Sequence, residues 1–292
     1  YSGAVEYFGI MVEWTIVIFL GGNNGVVSKM QHDMLKLKSF YFFSFFAVGS
    51  LTPLLGLYLQ EVQQFNGIQI GFIMSLGPIV MMVCQPLWGM LCDTTGKPVQ
   101  VLSLAAALTS FIGLIYLGVD DYIWFVWLSA LLAVFQSAVI PVSDGITMQY
   151  ASKVKADYGK IRMFGSLGFA VAVFLMGRLS ETEIGLNVIF YAFFAGFFLS
   201  AVLAYGFPKQ PVKASKVKLL SGMKQLLSVK KFLLLLGITF FLFGPNLANN
   251  VYYGIFIEAK GGTVAGIGVA FLLAVLSEIP FMRFAGQWIY KI

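Results

Sequence analysis

YGKIRMFGSLGFA, residues 158–170, sets Lys160 and Arg162 at the mouth of an apolar run that continues to residue 179. If that run lies in lipid, a charge within it is expensive, about 2.5–3.5 kcal/mol at the centre of a spanning helix. Whether the run is a membrane helix or a core helix of a water-soluble domain therefore decides the fold. Composition answers this: 59% of the 292 residues are hydrophobic and 11% are charged, about half the charged share of a soluble domain. Uncharged stretches near the roughly 20 residues that span a bilayer as a helix recur at about 39–59, 70–92, 98–119, 122–148, 161–179, 186–207, 231–257 and 263–289. A transmembrane barrel would instead show segments of about 10 residues with alternating polarity, and nothing here alternates that way. The expected class is all-α, a polytopic bundle of membrane helices.

The net charge of +6 raises the question of a nucleic-acid partner, and its placement along the chain answers it. Twelve basic residues, Lys97, Lys153, Lys155, Lys160, Arg162, Lys209, Lys213, Lys216, Lys218, Lys224, Lys230 and Lys231, fall in every second connection. The other connections carry Glu61, Asp120, Asp121, Glu181, Glu183 and Glu258, with Arg178 and Lys260 as their two basic residues. This is the positive-inside pattern. It predicts that loops 93–97, 149–160 and 208–230 are cytoplasmic in a multi-pass protein of the inner (plasma) membrane, and it accounts for the charge without nucleic acid.

The first 34 residues fit poorly with the rest. FGIMVEWTIVIFL (8–20) is interrupted by Glu13 and lacks the basic start and small-residue cleavage site of a secretory signal. Residues 1–34 are therefore expected to be an extension outside the fold, with Met30 or Met34 as the natural start. Residues 35–207 are expected to form one six-helix transmembrane half. PKQPVKASKVKLLSGMKQLLSVKK (208–231) is rich in Lys, Ser and Pro and reads as a basic cytoplasmic linker over 208–230. The segment 231–292 then repeats the start of the chain in outline. KSFYFFSFFAVGSLTPLLGLYL (38–59) and KKFLLLLGITFFLFGPNLANNVYYGIFI (230–257) both open on Lys, run through Phe-rich helix and are expected to break at Gly and Pro. Sliding by about 197 residues also lays Gly89 on Gly286. Agreement in element order and length is what a duplicated six-helix unit gives, and two of the second unit's six helices are expected within this chain.

Ionisable residues inside the spans are few, and by default such a group faces a cavity and has a partner. Asp144, in VIPVSDGITMQYA (139–151), stands near the end of span four, and Arg162 follows 18 residues later near the start of span five. Antiparallel neighbours bring the two to similar depth, where arginine can hold a carboxylate in two-point contact; headgroup anchoring is the alternative for Arg162. Gly165, Gly168 and Ala172 give span five a smooth face, for which close helix packing is a sufficient explanation. Pro245 follows Gly244 in span seven and is expected to break the helix there. Asn246, Asn249 and Asn250 then offer amides either to neighbouring helices or to a solute. Glu278 in LSEIPFMRFAG (276–286) is either a structural partner of Arg283 or a proton-binding carboxylate. In QPLWGMLCDTTGKP (85–98), Gly89 admits a neighbouring helix, Asp93 is an acceptor near the membrane surface, and Gly96 with Lys97 makes a tight basic turn. Cys84 and Cys92 lie about 12 Å apart along one helix and cannot bridge. His32 is the single histidine, so a metal site is not expected.

At these residues the chain resembles the major facilitator superfamily, and within it the lactose permease-like branch, which also has nucleoside and aromatic-acid permeases. The family signature between spans two and three, Gly, three residues, Asp, two residues, Gly, stands here as Gly89, Asp93 and Gly96. The run from Pro141 to Phe169 is similar to the permeases without a gap. The resemblance implies that Asp144 and Arg162 bind substrate, that Ser166 lies beside it and that Phe169 stacks on its ring. It implies that Gly89, Asp93, Gly96 and Lys97 serve the conformational switch. Span seven departs from the branch in having asparagines where it has acids, and Glu278 stands near, not on, that branch's functional acid. The fold implied is the six-helix first half with the first two helices of the second. The function implied is proton-coupled symport of a small polar solute (sugar, nucleoside or aromatic acid) by alternating access, driven by the proton gradient without a cofactor. Its partners would be the solute and the lipid bilayer, with a monomer as the full-length state. The alternative expectation is a truncated, non-transporting fragment of such a permease. No nucleophile with a nearby base, metal cluster or nucleotide loop is visible, so an enzyme is not expected.

Overall fold

The structure, a computed structural model, describes residues 25–208 and 226–289. The expectations for residues 1–24, for 209–225 of the linker and for the Arg283 side chain lie outside the described residues. Eight long helices are described: α1 (Gly25–Glu61), α2 (Gly67–Thr95), α3 (Pro98–Ile115), α4 (Tyr122–Val154), α5 (Tyr158–Leu179), α6 (Val188–Tyr205), α7 (Lys230–Ala259) and α8 (Val264–Ile289). Each contains one of the apolar runs read from the sequence. Among the described residues, seven helices are long and apolar enough to cross a membrane, and α8 adds a shorter apolar stretch over Val264–Glu278. Helix α1 begins at Gly25, so the fold boundary expected at residue 35 falls inside it.

Local chemistry sets where the helices start and stop. Asn66 and Gln69 form a reciprocal capping box that starts α2. The Asp121 and Asp157 carboxylates accept from the first backbone amides of α4 and α5. Gly96 ends α2 in the left-handed conformation, φ 64°, with its amide donating to the Cys92 carbonyl. A residue with a Cβ would be strained there. Pro98 then opens α3 at a first-turn position whose amide needs no partner.

One expectation is corrected by the helices themselves. Pro53 and Pro245 were expected to break α1 and α7, but both helices run through them, as α2 does through Pro78 and Pro86 and α4 through Pro141. A proline removes one backbone bond, and the turns on either side remain closed.

Helix α1 is the axle of the bundle. It packs against α5 on one side and α6 on another, and it also meets α7. The remaining contacts run outward: α6 on α3, α3 on α4, α4 on α2, and α5 on α8. Leu37, Phe40, Tyr41, Leu54 and Leu57 of α1 are fully enclosed, as are Phe190, Phe193 and Phe197 of α6. The ring of Tyr116, just past α3, stacks on Phe190 at 5.4 Å. In contrast, α2 leaves Ile79, Met82, Val83 and Leu87 exposed, and α7 leaves Leu233 through Phe243 exposed.

The axle is held to α5 by small residues. Gly165, Gly168 and Ala172 of α5 are buried, and a Cβ on Gly168 would run into the Phe42 carbonyl of α1. The expected packing face is thus in use, against α1. The same device closes α5 on α8: a Cβ on Gly177 would stand 2.8 Å from the Val264 carbonyl oxygen, and one on Gly268 2.8 Å from that of Val173. Between helices in lipid, where no hydrophobic drive separates protein from solvent tails, such close approach supplies much of the attraction.

Candidate functional site

The close approach of α1 and α5 fixes where Arg162 can go. Its side chain turns inward, and its Nε lies 3.8 Å from Asp144 Oδ1, joining α5 to α4. The pair is partly screened, each side chain retaining 25% exposure. The guanidinium also lies over the ring of Phe45, 3.9 Å from its centroid, and 5.5 Å from the centroid of Tyr41. Cation–π contact of this kind holds an arginine in orientation while leaving its outer N–H groups unspent. The two-point carboxylate contact thought possible from the sequence is not what forms: one nitrogen approaches one oxygen, at the long end of ion-pair distance.

Asp144 Oδ1 instead receives its short bond from Tyr41, whose hydroxyl donates at 2.6 Å. Tyr41 is fully buried on the axle helix, so the ring clamps both the carboxylate and, by its face, the guanidinium. Sequence reasoning missed Tyr41 and Phe45. The available signal was one hydroxyl-bearing ring in the otherwise Phe-rich run Phe40–Phe46.

On the open side of Arg162 lies a cavity of about 400 Å³ between α1, α5, α7 and α8. Arg162, Ser166 and Phe169 line it from α5, Asn246, Asn249 and Asn250 from α7, and Glu278 from α8. Six of the seven residues expected to bind solute are thereby brought together, along with the expected proton carboxylate. The seventh, Asp144, is not on the cavity wall and stands behind Arg162. The aromatic residues Phe45, Tyr253 and Phe271 also line it, with Ala270, Ala274 and Val275 of α8, and the Phe169 and Phe271 rings lie 6.2 Å apart edge to face. Tyr253 was also missed, although it continues the spacing of Asn246, Asn249 and Asn250 on one helix face. The Asn250 amide donates to the Asn246 side-chain oxygen at 3.1 Å, which leaves that pair able to donate and accept further.

Chemically, the wall combines a fixed cation, three amides, the hydroxyls of Ser166 and Tyr253, a carboxylate and flat apolar rings. Such a set suits a solute with many hydroxyls and at least one ring face.

At the far end of α2, the signature residues border a second space of about 300 Å³. Gly89, Cys92 and Asp93 face Pro141, Gly145 and Gln149 of α4 across it. Gly96 is the left-handed cap described above, and Lys97 is the residue that precedes α3. Cys84 and Cys92 are both free.

Residues 34–292 match the model of the MFS_1 like family. The chain is 45% identical over 263 residues to the uncharacterized transporter YwbF of Bacillus subtilis (strain 168), covering 90% of this chain and 66% of that protein. It is 47% identical over 250 residues to a maltose permease of Geobacillus stearothermophilus, covering 86% of this chain and 63% of the permease. The chain thus spans just under two thirds of the length of these relatives. The crystal structure of the nucleoside transporter NupG superimposes with a TM-score of 0.70 at 18% identity, covering 89% of this chain and 68% of that one. At that identity the likeness is one of fold.

Proposed function

Since the chain belongs to the MFS_1 like family, we propose that it acts as a secondary active transporter, moving a small polar solute by alternating access with proton symport. The observation that carries the reading is the convergence of Arg162, Ser166, Phe169 and the three asparagines on one cavity between the axle helix and α7 and α8. Residues 35–207 act as one half, the basic segment 208–230 as the linker and 231–292 as part of the second half, so the cavity lies where the two halves face each other. At about 400 Å³, it falls within the roughly 300–1,000 Å³ of small-molecule sites.

Among sugar, nucleoside and aromatic acid, a sugar is favoured. Amides and a guanidinium match ring hydroxyls, Phe169 offers a stacking face, and the maltose permease is 47% identical. Arg162 binds the solute directly, and Asp144, with Tyr41, keeps it aimed. Glu278 is the carboxylate on the cavity wall available to carry a proton. The charge pattern supports cytoplasmic placement of loops 93–97, 149–160 and 208–230 in the plasma membrane. Gly89, Asp93, Gly96 and Lys97 then sit at the cytoplasmic end, where α2 and α4 must shift as the halves rock.

The test is uptake into vesicles holding the purified protein, with labelled maltose, a nucleoside and an aromatic acid, each with and without an imposed pH gradient. Arg162→Ala and Asp144→Ala are compared with wild type. Removing one partner of a partly buried pair costs about 2–5 kcal/mol, so uptake of the true solute should fall at least about tenfold. Unchanged uptake in both variants removes these residues from the site. Uptake that ignores the pH gradient removes proton coupling.

A further inference from the structure

Two adjacent tyrosines of α7 face different neighbours. Tyr252 turns toward α2, where a Cβ on Gly71 would stand 3.7 Å from its hydroxyl oxygen. Tyr253 lies about 100° further round the helix and lines the cavity. Its ring meets Phe271 of α8 edge to face, with centroids 5.5 Å apart and planes at 89°. Phe271 is buried and meets Phe169 of α5 in turn. Phe169 is backed by α1, since a Cβ on Gly49 would stand 2.7 Å from the Phe169 carbonyl oxygen. The apolar body of Tyr253 is thus fixed, through Phe271, to the helix packed on the axle.

Its hydroxyl is left for another partner. A phenol both donates and accepts, and when buried it usually finds a protein group to bond. Tyr41 bonds Asp144 at 2.6 Å, Tyr58 accepts from Gln63 at 3.1 Å, and Tyr116 pairs with Ser129 at 2.9 Å. Among the described residues, Tyr253 has no such partner. Among the same residues, the buried hydroxyls without a partner are those of Thr147 and Ser180, so the Tyr253 oxygen reaches accessible space. Its neighbours on the cavity wall are partly committed: Asn250 donates to Asn246 at 3.1 Å, and Arg162 approaches Asp144. Tyr253 therefore brings to the wall a hydroxyl with both its donor and its acceptor capacity unspent.

We infer that Tyr253 is a specificity-determining residue of the solute site, its hydroxyl pairing with one hydroxyl of the solute, and that Phe271 is the positioning residue that holds the ring for it. The inference rests on the transport reading above and deepens it: the solute is a polyhydroxyl compound read at α7 as well as at Arg162. A site that hydrogen-bonds a solute hydroxyl discriminates against the analogue lacking it, because the protein's own polar group is then left unpaired. Stacking on Phe169 alone carries no such preference.

Titration calorimetry on the purified protein in lipid nanodiscs, with maltose and a series of maltose analogues that each lack one hydroxyl, reads this without transport. Tyr253→Phe should weaken maltose binding about two- to tenfold, as for a single hydrogen bond. It should leave unchanged the binding of one analogue, the one lacking the paired hydroxyl. Phe271→Leu should shrink that analogue's disadvantage although the Tyr253 hydroxyl is still present, and Tyr252→Phe should reproduce the wild-type series. A Tyr253→Phe protein that binds the whole series as wild type does, or that weakens every member equally, overturns the inference, with size-exclusion profiles confirming that each variant is folded. An unaltered series in Phe271→Leu removes its positioning role. Wild-type protein that binds no maltose removes the sugar reading and this inference with it. The expected binding pattern in a protein whose vesicles take up no maltose keeps the Tyr253 contact and removes transport. Maltose uptake with an unaltered series in Tyr253→Phe removes the contact alone.

Discussion

Arg162 is held by what surrounds it more than by its formal counter-ion. Its Nε is 3.8 Å from Asp144, whereas the Phe45 ring centroid is 3.9 Å from the guanidinium carbon and Tyr41 bonds Asp144 at 2.6 Å. Two predictions follow from that geometry. Tyr41→Phe removes a hydrogen bond to a charged group, about 1.5–3 kcal/mol, and solute affinity measured by titration calorimetry should fall roughly ten- to hundredfold. The ring is retained, so expression and thermal stability should change far less than affinity. Arg162→Lys should transport almost as poorly as Arg162→Ala, because an ammonium cannot stack on Phe45 and reach outward in the same way. Uptake near the wild-type rate in Arg162→Lys would mean that charge alone suffices. The pairing of Asp144 with Arg162 was legible from two intramembrane charges at matching depth. Tyr41 was not, since one hydroxyl among many rings carries no sign of the direction in which it points.

The helices could be counted in the sequence because each needs an unbroken apolar run, and the eight runs correspond to α1 through α8. Their interruptions were harder to foresee. Pro245 lies within a continuous α7, because what a proline does to a helix depends on whether the flanking turns stay closed. Small residues show a similar dependence on neighbours. A side chain at Gly168 meets the backbone of Phe42, whereas at Gly237 a Cβ meets nothing within 4 Å. Gly168→Val should therefore lower the melting temperature in detergent, overpacking costing about 1–3 kcal/mol with a backbone carbonyl that cannot rotate aside. Gly237→Ala should leave it unchanged or slightly raised, helix propensity favouring alanine by about 1 kcal/mol. Equal melting temperatures for Gly168→Val and wild type would show that α1 and α5 can part at this point without loss.

Among the described residues, contacts that draw the assembled bundle together on one side include Gly254 with the Pro53 carbonyl, Gly177 with Val264, Gln60 with Glu258, and Glu181 with the Ala265 amide. The orientation proposed from the charge pattern puts this side outside, and labelling tests it. With Cys84 and Cys92 replaced by serine, Glu183→Cys should react with a membrane-impermeant maleimide in intact cells, and Lys155→Cys only after permeabilisation. The reverse pattern would turn the molecule over and place the Gln60–Glu258 contact at the cytoplasmic face. Helix number, the class of the fold, the charge asymmetry of the loops and the chemistry of the cavity residues were all written in residue order, because each depends on composition within a single stretch of chain. Which faces meet, that Asp144 stands behind Arg162, that Tyr41 clamps both, and that Gln60 reaches Glu258 were decided only when the helices packed. These contacts join residues as far apart as 60 and 258, and their geometry is set by close approach at a few glycines, which no local pattern of hydrophobicity encodes.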